Sequence, residues 1–583
     1  MLKRVKADLN GLSSNLGVDR VITKIMVNRK IPPSDMRNFL YGGEESLHSP
    51  GSMKDMDKAS DIIIDAIKNK KKIRVIGDYD QDGVSSAVIM MRAMRILSPD
   101  IDFRIPDRMK DGYGINIRMA EEAKDDGVDL IVTCDNGIAA FDAVERAKEL
   151  GLDIIVTDHH DIPVFIEDGE EVSKIPPADA VVNPKRPDCS YPFDSLCGAA
   201  VALKLCENIY DRYGVEKRSF RDLYQFAAMA TVCDVVDLVD ENRIIVKMGL
   251  EILNRTENLG LRALIKAAKL EGKEIGVYHL GFILGPCINA SGRLDTASEA
   301  VELFTTSNPE RAKELAEHLV SLNEQRKEMT QKGLEDTIEI IESGNIVNDD
   351  VIIVYNPEIH ESIAGIIAGR IKDRYYKPAV VLTKSQNEGI AKGSGRSIEE
   401  YDMFKELSKV KELFERFGGH PMAAGLSLKV ENIDEFRDKI NENSELTEED
   451  LIEKIYIDEQ IPVEKVSMSL PGALEILEPF GKGNRKPCFG DKGVAVNKMM
   501  VLGRDYKIIK MFLDKGNGRQ IEAVYFGDIE KMQDYLINRF GDAEVEKAFS
   551  GQRNDLELDL IYYPNINEYM GNRNLQIVIS DYR

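Results

Sequence analysis

The sequence contains no tryptophan, and only seven cysteines and seven histidines occur among its 583 residues. No two cysteines form a CxxC pair, which excludes a zinc ribbon and argues against a disulfide framework. No run of about 18 apolar residues is present, and the segment MLKRVKADLNGLSSNL has no apolar signal core. We therefore expect a soluble, cytoplasmic protein with no membrane partner.

The chain is acidic, with a formal net charge of −24 that ordinarily opposes binding of a polyanion. Residues 481–520 reverse this balance, because they carry ten Lys or Arg against three Asp. The segment is either a solvated basic face or a nucleic-acid contact, and we favour the contact. Without tryptophan, unpaired bases would have to stack on tyrosine or phenylalanine. The ten cations are Lys482, Arg485, Lys486, Lys492, Lys498, Arg504, Lys507, Lys510, Lys515 and Arg519.

Three aspartates at alternate positions follow a short apolar run in IRVIGDYDQDGVSS, residues 73–86. This pattern predicts a strand that presents oxygen ligands, Asp78, Asp80 and Asp82, at its carboxyl end. A calcium loop has the same D-x-D-x-D-G spacing, but it requires a glutamate at its twelfth position. Because that position is Ile89, the calcium interpretation is disfavoured.

The same pattern recurs downstream. VDLIVTCDNGI ends at Asp135, LDIIVTDHHDIP ends at residues 158–160, and AAMATVCDVVDLV, a helix end or a strand, delivers Asp234. In an open parallel α/β sheet, residues beyond the carboxyl ends of the strands converge on one site. Carboxylates combined with imidazole suit Mn²⁺ or Mg²⁺ better than zinc.

These four segments, in this order, resemble the motifs of the DHH phosphoesterase superfamily, which is named after the triplet at 158–160. Further segments are similar to the RecJ family of bacterial single-strand-specific exonucleases, and the similarity runs from about residue 20 to the end. Those segments are PDRMKDGYGIN (106–116), GPCINASGRLD (285–295), NPEIHESIAGIIAGRI (356–371), AKGSGRS (391–397), FGGHPMAAG (417–425) and LEPFGKGNRKPCF (477–489).

The resemblance implies two divalent metal ions, Mn²⁺ or Mg²⁺, that share a bridging carboxylate, for which Asp135 is the candidate. His160 is expected to hydrogen-bond the scissile phosphate or the attacking water rather than to bind a metal. Asp135 and His160 are therefore assigned catalytic roles. The expected metal ligands are Asp78, Asp80, Asp82, Asp135, His159 and Asp234.

The second half of the chain is expected to hold the substrate. GSGRS at 393–397 offers backbone N–H groups, hydroxyls and a guanidinium, which suit a phosphate, although such a Gly-Ser loop alone is more often a linker. FGGHPMAAG would let backbone approach a strand of DNA closely, and Tyr113 could stack on a base. The expected substrate-binding residues are Arg108, Tyr113, Arg293, Ser394, Arg396, Gly418, Gly419 and His420.

The predicted fold class is α/β, with two α/β lobes of the DHH and DHHA1 type joined by a long helix, plus a C-terminal OB-like β-barrel. At 583 residues the chain should hold about three or four domains. We place a helical lead-in at 1–55, the first lobe at 56–240, a helical connector at 241–345, the second lobe at 346–440 and the barrel at 455–583.

The resemblance implies a metal-dependent exonuclease that degrades single-stranded DNA 5′→3′ in DNA repair and recombination. It also implies a monomer that works beside a helicase and a single-stranded-DNA-binding protein. The alternative is a phosphodiesterase acting on short oligonucleotides or cyclic dinucleotides, but such enzymes usually lack a C-terminal barrel. A non-catalytic scaffold of the same ancestry is disfavoured, because all the expected ligands are retained.

Overall fold

The computed structural model describes residues 8–98, 100–167, 170–216, 220–503, 508–516, 518–569 and 571–583. The chain divides into two compact units. The larger comprises His48–Asp234 and Met248–Lys454, and the smaller comprises Met1–Leu47, Val235–Lys247 and Ile455–Arg583. Within the described ranges, none of the helices has the length and apolar character needed to span a membrane.

The first lobe of the larger unit is a parallel sheet with strand order β2-β1-β3-β4-β7. Its central strands are mostly apolar and almost completely buried, as expected where helices cover both sides of a sheet. The strands are β1 (Ile73–Ile76), β2 (Ile101–Arg104), β3 (Leu130–Cys134), β4 (Asp153–Thr157) and β7 (Ala180–Val182), with a separate hairpin of β5 (Val164–Glu167) and β6 (Glu170–Ser173).

Helices precede and flank this sheet. The N-terminal helices α1 (Leu9–Leu16), α2 (Arg20–Asn28) and α3 (Met36–Tyr41) belong to the smaller unit. The first lobe contains α4 (Met56–Lys68), α5 (Gln81–Met94), α6 (Ile117–Asp125), α7 (Phe141–Glu149), α8 (Gly198–Tyr213) and α9 (Tyr224–Cys233).

The connector is helical, as predicted, and ends in a helix of 35 residues. Asn308 caps this helix through its side chain, Pro309 occupies the first turn, and Leu315, Leu319 and Leu322 are buried. The connector helices are α10 (Asp240–Leu253), α11 (Leu259–Ala267), α12 (Val277–His279) with a π-helical turn at Leu280–Leu284, α13 (Gly285–Leu294), α14 (Ser298–Thr305) and α15 (Pro309–Ser343).

The second lobe is a mixed sheet with strand order β11-β12-β10-β9-β8, in which only the β8–β9 pairing is parallel among the described strands. Its elements are β8 (Ile352–Tyr355), α16 (Ala364–Tyr375), β9 (Ala379–Lys384), β10 (Ile390–Arg396), α17 (Met403–Ser408), β11 (Phe414–His420), β12 (Ala423–Lys429) and α18 (Ile433–Glu442).

The expectation of a Gly-Ser loop at GSGRS is wrong, because residues 393–396 lie in β10 between β9 and β12. Their backbone groups take part in the sheet ladder on both sides. A phosphate therefore cannot be cradled by backbone N–H groups here, and only side chains of this strand can reach a ligand.

The smaller unit contains a barrel that closes through an additional β14–β17 pairing. Ile22 and Met26 of α2 are buried in the same apolar cluster as Phe489 and Ile509 of the barrel, so the two ends of the sequence share one core. Its C-terminal elements are β13 (Glu459–Gln460), α19 (Ser469–Leu474), β14 (Phe489–Leu502), β15 (Ile508–Asp514), β16 (Gln520–Tyr525), α20 (Ile529–Phe540), α21 (Asp542–Ser550), β17 (Glu557–Tyr569) and β18 (Asn572–Tyr582).

The expected fold class is confirmed: two α/β lobes, a long connecting helix and an OB-like barrel. The basic cluster of 481–520 is less free than its composition indicates. Lys510 pairs with Glu522 at 2.8 Å, and Lys482 lies 3.8 Å from Asp237. Two further members, Arg504 and Lys507, lie outside the described residues.

Candidate metal centre and phosphate cavity

Acidic and imidazole side chains meet at the carboxyl edge of the first sheet. Asp78 follows β1, Asp135 follows β3, and His159 follows β4. Because these strands are parallel, all three residues emerge at the same edge. Asp82 joins them from the first turn of α5, and Asp234 joins them from the C-terminal end of α9.

His159 lies at the centre of this cluster. Its Nε2 lies 3.0 Å from Asp135 Oδ1, 3.6 Å from Asp82 Oδ2 and 3.9 Å from Asp234 Oδ2. Two groups of three residues each have ligand atoms within 4.8 Å of one another, and His159 belongs to both. The groups are Asp82, His159, Asp234 and Asp135, His159, His160.

Three buried atoms of the cluster make no hydrogen bond: Asp78 Oδ2, Asp135 Oδ1 and His159 Nε2. Burying such polar atoms without a partner is costly, so the site fits bound cations that supply the missing contacts.

The protonation equilibria of the cluster favour a cation. Burial, followed by the charges of Asp82 and Asp80, raises the pKa of Asp135 well above its usual range. Burial and Asp80 also raise the pKa of Asp82 to about 7. Burial lowers the pKa of His159 to about 3, which leaves a neutral imidazole ready to donate its lone pair. Crowded carboxylates beside a neutral imidazole are a donor set that suits Mn²⁺ or Mg²⁺.

The N-terminus of α8 holds Asp82 in place. The backbone N–H groups of Gly198 and Ala199 donate to its two carboxylate oxygens, both at 2.7 Å. Gly198 also packs against Asp135, since a Cβ at this position would lie 2.5 Å from the Asp135 Cβ. One helix start therefore positions two of the expected ligands.

Asp78 and Asp80 lie outside both three-residue groups. The Asp80 side chain accepts hydrogen bonds from the N–H groups of Asp82 and Gly83, at 2.9 and 3.1 Å, and so caps α5. Asp78 Oδ1 accepts from the N–H of Gly114 at 3.2 Å. Burial, and then the charge of Asp80, raises the pKa of Asp78 well above its usual range. Their roles as metal ligands stay predictions.

His160 is held by Asp158, whose Oδ1 lies 2.7 Å from His160 Nδ1. Burial opposes protonation of this imidazole, but the hydrogen bond and charge of Asp158 outweigh it and raise the pKa of His160 to about 9. Because His160 also belongs to one of the three-residue groups, the geometry allows it as a metal ligand as well as a hydrogen-bond partner of the substrate.

Tyr113 lies beside His160, with ring centroids 5.5 Å apart in an edge-on arrangement. Its hydroxyl donates to the Asp135 carbonyl at 2.6 Å, so its position is fixed at the metal cluster. The residue is 49% exposed, which leaves ring surface accessible for a base, as the stacking hypothesis requires.

A cavity of about 580 Å³ lies next to the metal cluster and brings most of the expected substrate-binding residues together. Tyr79, which stands between Asp78 and Asp80 in the sequence, forms part of its wall. From the set predicted by the sequence, the cavity is lined by Arg108, Arg293, Ser394, Arg396 and Gly418.

The cations of the cavity are crowded. The Arg108 guanidinium lies 5.0 Å from the centre of the Tyr79 ring. Burial, and then the charge of Arg108, lowers the pKa of Arg293 to about 10 and also lowers the pKa of Arg396. A bound anion would relieve this repulsion, which makes the cavity a candidate phosphate site.

Gly419 and His420 are not among the residues that line this cavity. A Cβ at Gly419 would lie 2.4 Å from the Ala423 carbonyl oxygen, so its small size serves the β11–β12 hairpin. His420 is exposed, and its Nδ1 lies 3.7 Å from Asp161 Oδ2, directly after the 158–160 triplet. Its contact with a phosphate of the substrate stays a prediction.

Sequence reasoning missed several polar residues of the site. Lys392, Arg416 and Ser427 line the cavity from β10, β11 and β12, and Asp158 orients His160. Asp158 could have been found, because a carboxylate directly before a histidine pair can orient one of the rings. Arg416 and Ser427 lie outside the quoted motifs and Lys392 lies within AKGSGRS, but it is strand pairing that brings the three together.

Comparisons with known proteins agree with this architecture. Three family models match the chain: "DHH family, N-terminal domain" at residues 72–231, "DHHA1 domain" at 348–445 and "RecJ OB domain" at 457–581. The single-stranded-DNA-specific exonuclease RecJ of Bacillus subtilis is 35% identical over 98% of this chain and 69% of its own length. That of Haemophilus influenzae is 32% identical over 92% of each chain.

This chain belongs to the RecJ family. Among solved structures, Thermus thermophilus RecJ in complex with Mn²⁺ superimposes with a TM-score of 0.81 and covers 100% of this chain and 78% of that one. At 24% identity, this likeness supports the fold alone. A manganese-bound exonuclease RecJ is 29% identical, with a TM-score of 0.57, and covers 67% of this chain and 94% of that one.

Proposed function

We propose that this RecJ-family chain hydrolyses single-stranded DNA from its 5′ end, in the 5′→3′ direction, with Mn²⁺ or Mg²⁺ as cofactor. The observation that carries this proposal is the cavity of arginines beside the metal cluster, joined to it through Tyr79. A terminal phosphate bound there would set which phosphodiester bond reaches the metals first. The direction in which the DNA is degraded would then follow, because the anchored 5′ phosphate is held at a fixed distance from the metal cluster.

Arg396, Arg293 and Arg108 are the proposed anchors of the terminal phosphate. Planar guanidinium groups form paired, charge-assisted hydrogen bonds with phosphate oxygens. Arg396 Nη1 lies 3.1 Å from Ser394 Oγ, so the hydroxyl of Ser394 helps to orient the guanidinium. Lys392 pairs with Glu361 at 3.3 Å in the same cavity, and it contributes less free charge.

The metal ligands are proposed to be Asp78, Asp80, Asp82, Asp135, His159 and Asp234. Bound divalent cations would supply Lewis acidity and lower the pKa of a water molecule. His159 is common to both three-residue groups, but Nε2 has a single lone pair and cannot bridge two ions. Asp135 has two oxygens, and its Oδ1 lies 3.0 Å from that nitrogen, which supports Asp135 as the bridging ligand.

His160 is proposed to hydrogen-bond the scissile phosphate or the attacking water. Asp158 accepts from the ring at Nδ1 and so fixes its orientation. Tyr113 closes one side of the site through its bond to the Asp135 carbonyl and would stack on the base of the terminal nucleotide.

The substitution Arg396→Ala tests the anchoring role. We expect it to raise the KM for 5′-phosphorylated single strands far more than the KM for 5′-hydroxyl strands, because only the former engage the lost guanidinium. Arg370→Ala, which removes an exposed arginine of α16 outside the cavity, is the matched control. Equal losses on both substrates, or digestion that begins at the 3′ end, would reject the anchoring mechanism.

The chain is further proposed to act as a monomer in the cytoplasm, beside a helicase and a single-stranded-DNA-binding protein. The reason for a helicase is that a site that accepts only unpaired DNA needs a partner that opens the duplex. Light scattering of the purified protein and degradation of duplex DNA with and without an added helicase test these statements. A stable dimer, or equal degradation without the helicase, would contradict them.

A further inference from the structure

The phosphate cavity is larger than one terminal phosphate requires. Its volume of about 580 Å³ is in the range of sites that hold whole small molecules. Among the described residues, five Lys or Arg side chains line it against one carboxylate, Glu361, so its charge favours an anion. The proposed anchors of the terminal phosphate account for three of these cations. The other two, Lys392 and Arg416, have no ligand assigned to them.

Strand pairing brings these two cations together with a hydroxyl. Lys392 of β10 pairs in register with Ser427 of β12, which pairs in turn with Arg416 of β11. Adjacent strands lie about 4.8 Å apart, so the two cations flank the hydroxyl across about 10 Å of sheet. All three residues line the cavity. We call this set the outer row, because Lys392 and Arg416 are exposed whereas Arg396 is half-buried.

The outer row has free hydrogen-bond donors. Within the described part of the chain, the Arg416 guanidinium forms no ion pair or hydrogen bond, and the Ser427 hydroxyl forms no hydrogen bond. Lys392 shares its charge with Glu361 at 3.3 Å. A guanidinium, an ammonium and a hydroxyl all donate to phosphate oxygens. The outer row is therefore suited to a phosphate group of its own.

Two glycines keep the space between the outer row and Arg396 open. Gly425 of β12 and Gly418 of β11 are register partners, and both line the cavity. A Cβ at either position would meet no atom within 4 Å, and neither glycine has a positive φ. Packing and backbone conformation therefore do not require glycine here. A glycine inside a strand weakens the strand and often marks a place where a ligand comes close.

The Arg396 side chain leans toward the outer row. Its Nη1 lies 3.1 Å from Oγ of Ser394, which stands between Arg396 and Lys392 on the same face of β10. Alternate residues of a strand lie about 7 Å apart, so one such step separates Ser394 from Lys392. A chain of two or three phosphates can span this step, whereas a single phosphate reaches only one side of it.

We propose that the outer row is a second anion subsite, and that the cavity accepts 5′ ends that carry a diphosphate or a triphosphate. This inference rests on the proposed function, in which the phosphate next to the terminal nucleoside contacts Arg396. The further phosphates then accept hydrogen bonds from Arg416, Lys392 and Ser427. The substrate class thereby extends to strands that still carry the triphosphate of the nucleotide with which they were begun.

Binding of three short oligonucleotides to the full-length protein in chelator tests the proposal. They share one sequence and a 3′ fluorophore, and they carry a 5′-triphosphate, a 5′-monophosphate or a 5′-hydroxyl. Fluorescence anisotropy should show that the triphosphate binds about tenfold more tightly than the monophosphate, the effect of an added charge-assisted hydrogen bond. Arg416→Ala should remove most of this advantage. Glu361→Gln should increase it, because Lys392 is then released for the ligand.

Lys429→Ala is the matched control. Lys429 is an exposed cation of β12, two residues beyond Ser427, and it does not line the cavity. This variant should keep the wild-type advantage of the triphosphate, which separates a local contact from general attraction by positive charge. An advantage that is unchanged in Arg416→Ala overturns the proposal. Equal losses on all three ends in Arg416→Ala also overturn it, because they would place Arg416 at an internal phosphate.

The monophosphate and hydroxyl ends report separately on the proposed function. Equal affinity of the wild-type protein for these two ends rejects the anchor at Arg396, and the outer subsite with it. Tighter binding of the monophosphate than of the hydroxyl, with no further gain from the triphosphate, keeps the anchor and rejects the outer subsite alone. Because chelator prevents cleavage, neither result depends on the rate of hydrolysis.

Discussion

His159 Nε2 lies 3.0 Å from Asp135 Oδ1, yet neither buried atom makes a hydrogen bond. Buried polar atoms are nearly always paired in a folded interior, and a cation that contacts both atoms would explain this exception. This relationship identifies the part of the cluster that depends most on a bound cation, and the first three predictions concern it.

Asp135→Ala should abolish hydrolysis of single-stranded DNA. Removing an essential electrostatic element of an active site typically costs about 10²-fold or more in rate. Hydrolysis of an end-labelled oligonucleotide in Mn²⁺ measures the effect, and Asp142→Ala, an exposed aspartate of α7, is the control. Retention of more than about a tenth of the wild-type rate would contradict the assignment.

Gly198→Ala should weaken metal binding more than it weakens the fold. The new Cβ would lie 2.5 Å from the Asp135 Cβ, so Asp135 must shift, and the α8 N–H groups that hold Asp82 shift with the helix start. Mn²⁺ titration should show a clear loss of affinity.

Gly214→Ala at the other end of α8 is the matched control for this change. Gly214 has a positive φ of 82°, so alanine there is strained and lowers the melting temperature, while Mn²⁺ affinity is unaffected. Equal Mn²⁺ affinity in the Gly198→Ala and Gly214→Ala proteins would show that Gly198 does not position the site.

Asp234→Asn should stabilise the metal-free protein while abolishing activity. Burial, then Asp82 and Asp80, raises the pKa of Asp234 from 3.8 to about 8 in the folded chain. The folded state thus binds a proton that the unfolded chain releases, so the free energy of unfolding falls as pH rises from about 4 to 8. Asp234 also caps the C-terminal end of α9, where a negative charge opposes the helix dipole.

Calorimetry in chelator, at pH values below and above this range, measures the effect of Asp234→Asn. The variant should melt at a higher temperature than the wild type at the alkaline end, and its melting temperature should vary less with pH. Asp142→Asn should change neither the melting temperature at alkaline pH nor its dependence on pH. A lower melting temperature for Asp234→Asn at alkaline pH would mean that the carboxylate is stabilising, contrary to the crowding argument.

The exposed part of the basic cluster should affect the affinity for single-stranded DNA rather than the rate of cleavage. Replacing Arg485, Lys486 and Lys492 with alanine removes three cations of the barrel unit. Affinity for long single strands should fall, and its dependence on salt should become less steep, because fewer phosphate contacts release counterions.

Cleavage of short oligonucleotides by this triple variant should be nearly unchanged. Lys531→Ala with Arg553→Ala removes exposed cations of the same unit outside the cluster and should leave affinity unaltered. Fluorescence anisotropy at several salt concentrations measures both proteins. An unchanged salt slope in the triple variant would exclude the cluster from DNA contact.

The order of apolar runs and acidic strand ends was sufficient to predict that Asp78, Asp135 and His159 meet at one edge of the first sheet. Asp78, Asp135 and His159 each follow a buried strand, and parallel strands deliver their carboxyl ends to one edge of a sheet. Such patterns depend on a few neighbouring residues and a general rule of topology. Each is therefore visible in the sequence before any contact between distant segments is known.

Only the tertiary structure decided how the second lobe and the barrel unit are assembled. GSGRS has the composition of a loop, but pairing with β9 and β12 makes residues 393–396 part of a strand. The sheet then places Arg396 around one cavity with Arg416 of β11 and Ser427 of β12. The burial of α2 in the barrel core likewise joins segments more than 400 residues apart. Strand register and the packing of remote segments depend on all the competing contacts in the folded chain. They cannot be predicted from a local pattern of residue types.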